Sequence, residues 1–315
     1  MTPRPRTPLV VAILILMSVT MTWMSAQSAE PPPHIFRSAV DLVTIQASVR
    51  DARGRVVQGL TRADFEVRDN GQIRPLIDFR ADRRSPVTLA ILVDMSGSMS
   101  VGAKIAMARQ AYESVLSQLG EQDEVALFTF DSSLHERQGF TRDLARLKDG
   151  LSTFEPFGTT SLYDATAATA RRLADYSSTH RAIVVLTDGI DTSSSLSATA
   201  VSGLASSIDV PVYVVATVPS IDQRAMMEGS ERGTPRSDTA DLRDLAEWTG
   251  GHLVFASTFT ETIVVASSIV DELRQQYVLA IEAAEGREWR RLDVRVVKNP
   301  SAAPTVRTRS GYFGG

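Results

Sequence analysis

The sequence predicts an α/β domain with a doubly wound, mostly parallel sheet, inserted into a β-sandwich that N-terminal and C-terminal strands build together. From Pro86 to Gln276, apolar strand patterns alternate with helical patterns, which is typical of a parallel sheet with helices on both faces. The helical patterns include a short one at 143–151. Strand patterns occur without helices on either side of this stretch. Within it, Leu89 to Val93 is a continuous apolar run, as expected for a central strand that is covered on both faces.

The N-terminal segment has the features of a secretory signal peptide. Arg4 and Arg6 precede an apolar run from Leu9 to Met24, and a small-residue cleavage pattern ends at Ser28. We therefore expect residues 1–28 to be removed and the chain to be exported to the periplasm, the cell surface or the medium. We expect no membrane span in the mature chain. The alternative is an uncleaved signal that stays in the membrane as an anchor helix.

The strands outside the α/β domain are expected to form a single sandwich. A Pro-rich linker over 29–37 leads into an N-terminal β module at 38–84, in which Asn70-Gly71 is a strong signal for a two-residue hairpin. The α/β domain follows at 85–275, and further strands occupy 276–315. Each group of strands is too short to bury a core alone, and the chain has no cysteine that could crosslink it. We therefore expect the two groups to pair with each other.

Composition excludes several classes of function. The formal net charge is -4 and no basic stripe accompanies it, so there is no electrostatic case for nucleic-acid binding. The absence of cysteine excludes disulfides, zinc–thiolate sites and a thiol nucleophile, and the four histidines are scattered. The sequence contains neither the glycine-rich nucleotide-binding patterns nor a G-x-S-x-G nucleophile motif.

Oxygen-bearing side chains follow three of the predicted strands, at the point where each strand ends. In an open parallel sheet these loops meet at one edge, which is where such folds bind ligands. The side chains are Asp94, Ser96 and Ser98 in the first loop, Thr159 and Thr160 in the second, and Asp188 in the third. Such a set of hard oxygens favours Mg²⁺, Mn²⁺ or Ca²⁺ over zinc or copper. The alternative is that Ser98, Thr160 and Asp188 each only cap a helix N-terminus.

Three motifs in these loops carry a family resemblance. A D-x-S-x-S motif follows the buried strand, G-T-T precedes a helix, and T-D-G follows another strand. Together they resemble the von Willebrand factor type A domain and its metal-ion-dependent adhesion site. The flanking regions, which begin at Val49 and at Gln275, resemble those around this domain in a bacterial group of exported proteins.

The resemblance implies a role for each candidate residue. Three hydroxyls are implied as direct metal ligands: Ser96, Ser98 and Thr160. Two carboxylates are implied to act mainly through coordinated water: Asp94 and Asp188. Thr160 is preferred over Thr159 because the family places its threonine directly before the helix. Thr159 and Asp191 are possible outer groups, although for Asp191 we prefer the role of an N-cap for the next helix.

The resemblance implies an exported, non-enzymatic adhesion or assembly module that uses Mg²⁺, or else Mn²⁺ or Ca²⁺, to bind an exposed Asp or Glu of a protein partner. Neutral hydroxyl ligands leave the charge of such an ion incompletely cancelled, so its open position attracts an anionic oxygen. One alternative is a metal-dependent hydrolase, in which Asp188 or Asp191 would have to act as general base. Another is an envelope structural subunit that its ion stabilises. A long insertion at 219–238 leaves from the same sheet edge and is a further candidate contact surface.

Overall fold

The structure is a computed structural model that describes residues 41–81, 85–152, 154–176, 178, 180–207, 209–218, 237–297 and 304–314. The predicted signal peptide and linker lie outside the described residues, as does most of the predicted insertion at 219–238. Within the described residues, no helix has both the length and the apolar character that crossing a membrane requires.

The α/β domain is built on a six-stranded sheet. Its strands are β5 (Thr88–Asp94), β6 (Glu124–Phe130), β7 (Leu134–Thr141), β8 (Arg181–Thr187), β9 (Val212–Thr217) and β10 (Leu253–Ala256). They are ordered β10-β9-β8-β5-β6-β7, and neighbours run parallel except for β7, which is antiparallel to β6. The predicted mostly parallel sheet is thereby confirmed. The sequence analysis missed β7 because this partly exposed edge strand is largely polar and lacks an apolar alternation.

Helices cover both faces of this sheet. They are α1 (Lys104–Ser117), α2 (Leu162–Ala174), α3 (Ala198–Ser207), α4 (Ser237–Trp248) and α5 (Phe259–Arg274). The apolar side chains of α1 and α5 pack on one face, and those of α2, α3 and α4 pack on the other. All seven residues of β5 are buried between the two layers. The continuous apolar run predicted this double coverage, because a strand with one solvated face would alternate with polar residues.

Strands from the two ends of the chain form the sandwich. They are β1 (Leu42–Arg50), β2 (Phe65–Asp69), β3 (Gln72–Arg74), β4 (Asp78–Arg80), β11 (Tyr277–Glu282), β12 (Trp289–Val296), β13 (Thr305–Arg307) and β14 (Gly311–Phe313). One sheet has the order β13-β1-β11-β4 and the other β14-β12-β2-β3. Each sheet therefore mixes N-terminal and C-terminal strands, and Ile45, Val67 and Leu279 share one core between them. The predicted shared sandwich is confirmed.

The hairpin between β2 and β3 also forms as predicted. Asp69 pairs with Gln72, which leaves Asn70 and Gly71 as a two-residue turn with φ angles of 47° and 82°. Two consecutive positive φ angles define the type I′ turn, whose twist matches that of the paired strands. Asn and Gly tolerate this conformation better than other residues do, which is why the dipeptide was informative.

The helix predicted at 143–151 is wrong. The chain forms only a short 3-10 turn at Leu144–Arg146, which the side chain of Asp143 caps by accepting a hydrogen bond from the amide of Ala145. Leu147 and Leu151 are buried, so the spacing that suggested a helix is satisfied by successive tight turns. Gly150 lies so close to the backbone of Leu147 that a Cβ there would meet its carbonyl oxygen at 3.1 Å.

A buried carboxylate links the α/β domain to the sandwich. Glu272 lies in the last turn of α5, its side chain is 0% exposed, and the chain continues from this helix almost directly into β11. Its Oε2 accepts hydrogen bonds from Nε of Arg50 at 2.9 Å and from Nη1 of Arg307 at 3.3 Å. Burial and these two arginines lower the pKa of the neighbouring His252 to about 4, although Glu272 opposes the shift. Glu272 is therefore the counter-ion of two arginines from the sandwich.

Replacing this carboxylate should destabilise the protein. In Glu272→Gln the two arginines keep their partly buried positions but lose their anion, so we expect the free energy of unfolding to fall by about 2–3 kcal/mol. Urea unfolding would measure the change, with Glu113→Gln on the exposed surface of α1 as the matched control. Equal midpoints for the two variants would show that Glu272 does not hold the domains together.

Candidate metal centre

The candidate residues meet at the carboxyl ends of β5 and β8. The chain leaves β5 toward β6 on one side, whereas β8 lies on the other side of β5. This reversal of direction opens a crevice at the strand ends, where open α/β sheets bind ligands. Asp94 is the last residue of β5, and Asp188 directly follows β8. The topology therefore brings two carboxylates from distant parts of the sequence to one edge.

The loop after β5 turns two serine hydroxyls toward each other. The amide of Ser96 donates to Oδ1 of Asp94 at 2.9 Å, and this bond fixes the direction in which the chain leaves the strand. The Oγ atoms of Ser96 and Ser98 are 3.1 Å apart. Ser96 precedes a 3-10 turn at Gly97–Ser100, but its side chain makes no capping hydrogen bond there. The Ser96 hydroxyl is therefore not used to cap this turn.

The loop before α2 packs directly against this first loop. The amide of Phe157 donates to the carbonyl of Met95 at 2.8 Å, and the amide of Gly97 donates to the carbonyl of Gly158 at 2.9 Å. Gly158 has a φ of 87°, and a Cβ on Gly97 would lie 3.3 Å from the Gly158 carbonyl oxygen. Two glycines therefore permit this close approach, because larger residues would strain or separate the loops.

The two adjacent threonines of this loop lie in different environments. Thr160 is buried, whereas Thr159 is exposed and its Oγ1 accepts a hydrogen bond from the Ser193 hydroxyl at 3.1 Å. The carbonyl of Thr160 accepts from the amides of Thr192 and Ser193, which attaches the loop after β8 to the loop before α2. Thr160 is therefore the buried threonine of the pair, and its backbone joins the loop before α2 to the loop after β8.

The loop after β8 contributes two groups to the centre. Thr187 donates from Oγ1 to Oδ2 of Asp94 at 2.6 Å, which joins the ends of β5 and β8. Lys104, at the start of α1, donates from Nζ to Oδ2 of Asp188 at 2.9 Å. The other oxygen of Asp188, Oδ1, is buried and has no hydrogen-bond partner among the residues that the structure describes. A buried carboxylate oxygen of this kind is costly unless something satisfies it, and a cation or a water bound to a cation would do so.

The electrostatics of the centre also favour a cation. Burial raises the pKa of Asp94 to about 6, and the negative charge of Asp188 adds to the rise, although hydrogen bonds from Thr187 and Ser96 oppose it. No group of three His, Cys, Asp or Glu side chains that could hold a metal exists among the described residues, so hydroxyls would have to complete any coordination shell. Two carboxylates with neighbouring hydroxyls form a set of hard oxygens, which fits Mg²⁺, Mn²⁺ or Ca²⁺.

Asp191 holds loops together. Its carboxylate accepts hydrogen bonds from the Ser194 hydroxyl at 2.6 Å, from the Ser194 amide at 3.1 Å and from the Tyr163 amide at 3.2 Å. The predicted N-cap role is wrong, because the next helix, α3, begins only at Ala198. Asp191 instead fixes the loop after β8 to the first turn of α2.

Sequence reasoning missed the roles of two residues in this centre. Thr187 is part of the T-D-G motif, and Lys104 follows the D-x-S-x-S motif at the first position of α1. Each of them acts on a carboxylate that is far away in sequence, so local spacing gives no indication of the contact. The available signal was that Lys104 is the first charged residue after Asp94 in the stretch that leads into α1.

Comparisons with known proteins agree with this fold. Residues 89–200 match the family model of the von Willebrand factor type A domain. A solved von Willebrand factor type A structure from Catenulispora acidiphila aligns with a TM-score of 0.50 and 12% identity, over 86% of this chain and 73% of that one. BatB, a conserved hypothetical protein from Bacteroides thetaiotaomicron, aligns with a TM-score of 0.45 and 19% identity, over 59% of this chain and 98% of that one. Proximal thread matrix protein 1 from the mussel byssus, solved with a zinc-occupied MIDAS motif, aligns with a TM-score of 0.49 and 14% identity, over 65% of this chain and 49% of that one. No curated protein matches the sequence. At these identities the structural likeness concerns the fold alone.

The raised pKa of Asp94 makes the stability of the metal-free protein depend on pH. Because the folded-state pKa of about 6 exceeds the usual 3.8, Asp94 contributes stability below about pH 4 that is lost as the pH rises through 6. In EDTA at pH 7.5, Asp94→Asn should therefore be more stable than the wild type by about 2–3 kcal/mol. At pH 4 this difference should vanish.

Urea unfolding of both proteins across this pH range measures the effect. Asp149→Asn, which removes an exposed carboxylate, controls for the loss of a negative charge. A difference between wild type and Asp94→Asn that stays constant with pH would contradict the argument.

Proposed function

We propose that this chain, in which residues 89–200 form a von Willebrand factor type A domain, is an exported, non-enzymatic binding protein that uses a divalent cation to bind an acidic group of a protein partner. The observation that carries the proposal is Oδ1 of Asp188, which is buried and unpartnered among the described residues and belongs to a carboxylate that acts electrostatically on the buried Asp94. The serine hydroxyls that face each other follow Asp94 in the same loop. Export rests on the signal-like segment at 1–28, which lies outside the described residues.

The hydroxyls of Ser96, Ser98 and Thr160 would hold the cation directly, and Asp94 and Asp188 would act through its water ligands. Mg²⁺ is the preferred ion, with Mn²⁺ or Ca²⁺ as alternatives, because every donor is a hard oxygen. A bound cation would supply an open coordination position to an outside oxygen. The protein side chains fix that position, since hydrogen bonds from Thr187 and from the Ser96 amide orient Asp94.

The surroundings of the centre suit a protein partner with an exposed Asp or Glu. Two apolar side chains next to the ligand loops are exposed to solvent, Val101 by 63% and Phe157 by 83%. Exposed aromatic and aliphatic side chains of this kind are typical of contact surfaces for proteins. A carboxylate of the partner would complete the coordination of the ion, while neighbouring apolar groups of the partner would cover Phe157.

The hydrolase alternative has less support. It requires a general base with a free carboxylate close to the ion, and the two candidates were Asp188 and Asp191. Asp188 is paired with Lys104, and Asp191 accepts three hydrogen bonds within its own loop and from α2. Asp191 is thus fully engaged by its loop and by α2, and Asp188 has only Oδ1 left, which our proposal assigns to the ion or its water. If the protein is instead a structural subunit, the ion should bind without any carboxylate from a partner. Measuring whether the ion-loaded protein binds acidic peptides distinguishes this alternative from our proposal.

Divalent cations should stabilise the folded protein. An ion that binds only the native state adds about 2.7 kcal/mol at a concentration one hundred times its Kd. Thermal unfolding in millimolar Mg²⁺, Mn²⁺ or Ca²⁺ should therefore occur at a higher temperature than in EDTA. Ser96→Ala should lose this shift, whereas Ser100→Ala, which changes an exposed serine of the same turn, should retain it. Identical melting in EDTA and in all three ions would contradict the proposed metal centre.

Partner recognition should depend on both the ion and a carboxylate. Peptides selected from a displayed random library in Mg²⁺ and eluted with EDTA should be enriched in Asp or Glu, and Ser96→Ala should select none. Phe157→Ser should weaken binding of the selected peptides without changing ion affinity. Ile73→Ser, which changes another exposed apolar side chain in the sandwich, is the control. A selection without acidic enrichment would refute carboxylate recognition.

A further inference from the structure

A lysine lies inside the proposed cation site. Nζ of Lys104 is 2.9 Å from Oδ2 of Asp188, and the two side chains are only 13% and 0% exposed. A positive charge built into a site for a cation is unexpected, because it repels the ion that the site would bind.

The position of Lys104 in its helix does not explain its presence. It is the first residue of α1, and the first turn of this helix contains no acidic residue. The N-terminus of a helix carries a partial positive charge, so a cation there is unfavourable for the helix itself. The partner that compensates this placement is Asp188, whose other oxygen, Oδ1, remains without a hydrogen bond.

The lysine changes the net charge of the site both when the site is empty and when it holds the ion. Asp94, Asp188 and Lys104 together carry a formal charge of minus one, which a divalent ion converts to plus one. Without the lysine, the same two carboxylates would carry minus two, and the loaded site would be neutral. A less negative empty site binds the ion more weakly, whereas a positive loaded site binds an anion more strongly.

We infer that Lys104 lowers the affinity of the centre for its divalent ion and raises the affinity of the ion-loaded centre for an anionic oxygen of the partner. The inference rests on the proposed function and deepens it, since Lys104 makes recognition selective for acidic ligands. Lys104 does not coordinate the ion. It is a positioning residue that holds Asp188 by a hydrogen bond and adds a positive charge to the site. Its ammonium group occupies Oδ2 of Asp188, which leaves Oδ1 for the ion or its water.

The first test measures ion affinity in the full-length protein by electron paramagnetic resonance of Mn²⁺. Lys104→Met should bind Mn²⁺ about tenfold more tightly than the wild type, because the substitution removes a positive charge that repels the divalent ion. Lys104→Gln can still donate a hydrogen bond to Asp188, so it separates the charge from the contact and should also bind more tightly. Lys148→Met removes an exposed lysine and should leave Mn²⁺ affinity unchanged.

The second test measures anion affinity, with acetate as the probe. Acetate that replaces a water on protein-bound Mn²⁺ lowers the relaxation enhancement of water protons. The wild type should show this effect at several-fold lower acetate concentration than Lys104→Met or Lys104→Gln.

The outcomes distinguish the inference from the proposed function. If the wild type binds Mn²⁺ and Ser96→Ala does not, but the two neutral Lys104 variants match the wild type in Mn²⁺ or acetate affinity, the inference on Lys104 is wrong and the metal centre stands. If the wild type binds no Mn²⁺, or Ser96→Ala binds it equally well, the proposed function itself is wrong. Weaker Mn²⁺ binding by Lys104→Gln would mean that the lysine supports the site, which also overturns the inference.

Discussion

The burial of a carboxylate at the end of the central strand is the constraint on which the candidate centre depends. Asp94 is fully buried, and an isolated charge in such a position is costly. Two hydrogen bonds to the Asp94 carboxylate offset this cost, one from the nearby amide of Ser96 and one from the hydroxyl of Thr187 at the end of the neighbouring strand β8. These bonds fix the two strand ends relative to each other and therefore fix where the neighbouring hydroxyls and Asp188 lie.

The sandwich depends on a second buried carboxylate. Because β1 pairs with β11, the sandwich closes only after the whole α/β domain has been traversed by the chain. Glu272 holds arginines of β1 and β13 at the end of α5. The last helix of the α/β domain is therefore attached to two neighbouring strands of one sheet, which come from opposite ends of the chain. In a chain without cysteine, this ion-pair cluster and the shared apolar core take the place of covalent crosslinks.

Local patterns predicted most of the fold. Three local patterns each predicted a feature that the structure contains: the apolar run of β5, the alternation of strands and helices, and the Asn70-Gly71 turn. Each of these features is stabilised by interactions that its own residues determine. The failures were β7 and the stretch at 143–151. The polar edge strand β7 is a strand only because β6 offers it hydrogen bonds, and the leucines at 147 and 151 are buried by turns that local periodicity does not distinguish from a helix.

The sequence by itself determined the double coverage of the sheet, the pairing of the terminal strands and the three loops that carry oxygen ligands, since strand ends and motif spacing are local properties. Only the tertiary structure decided what surrounds those ligands. Lys104 contacts Asp188 across 84 positions and Thr187 contacts Asp94 across 93, and no local pattern encodes such pairs. Their charges and hydrogen bonds act over a few ångströms, so their effect exists only after the sheet and helices have brought distant residues together.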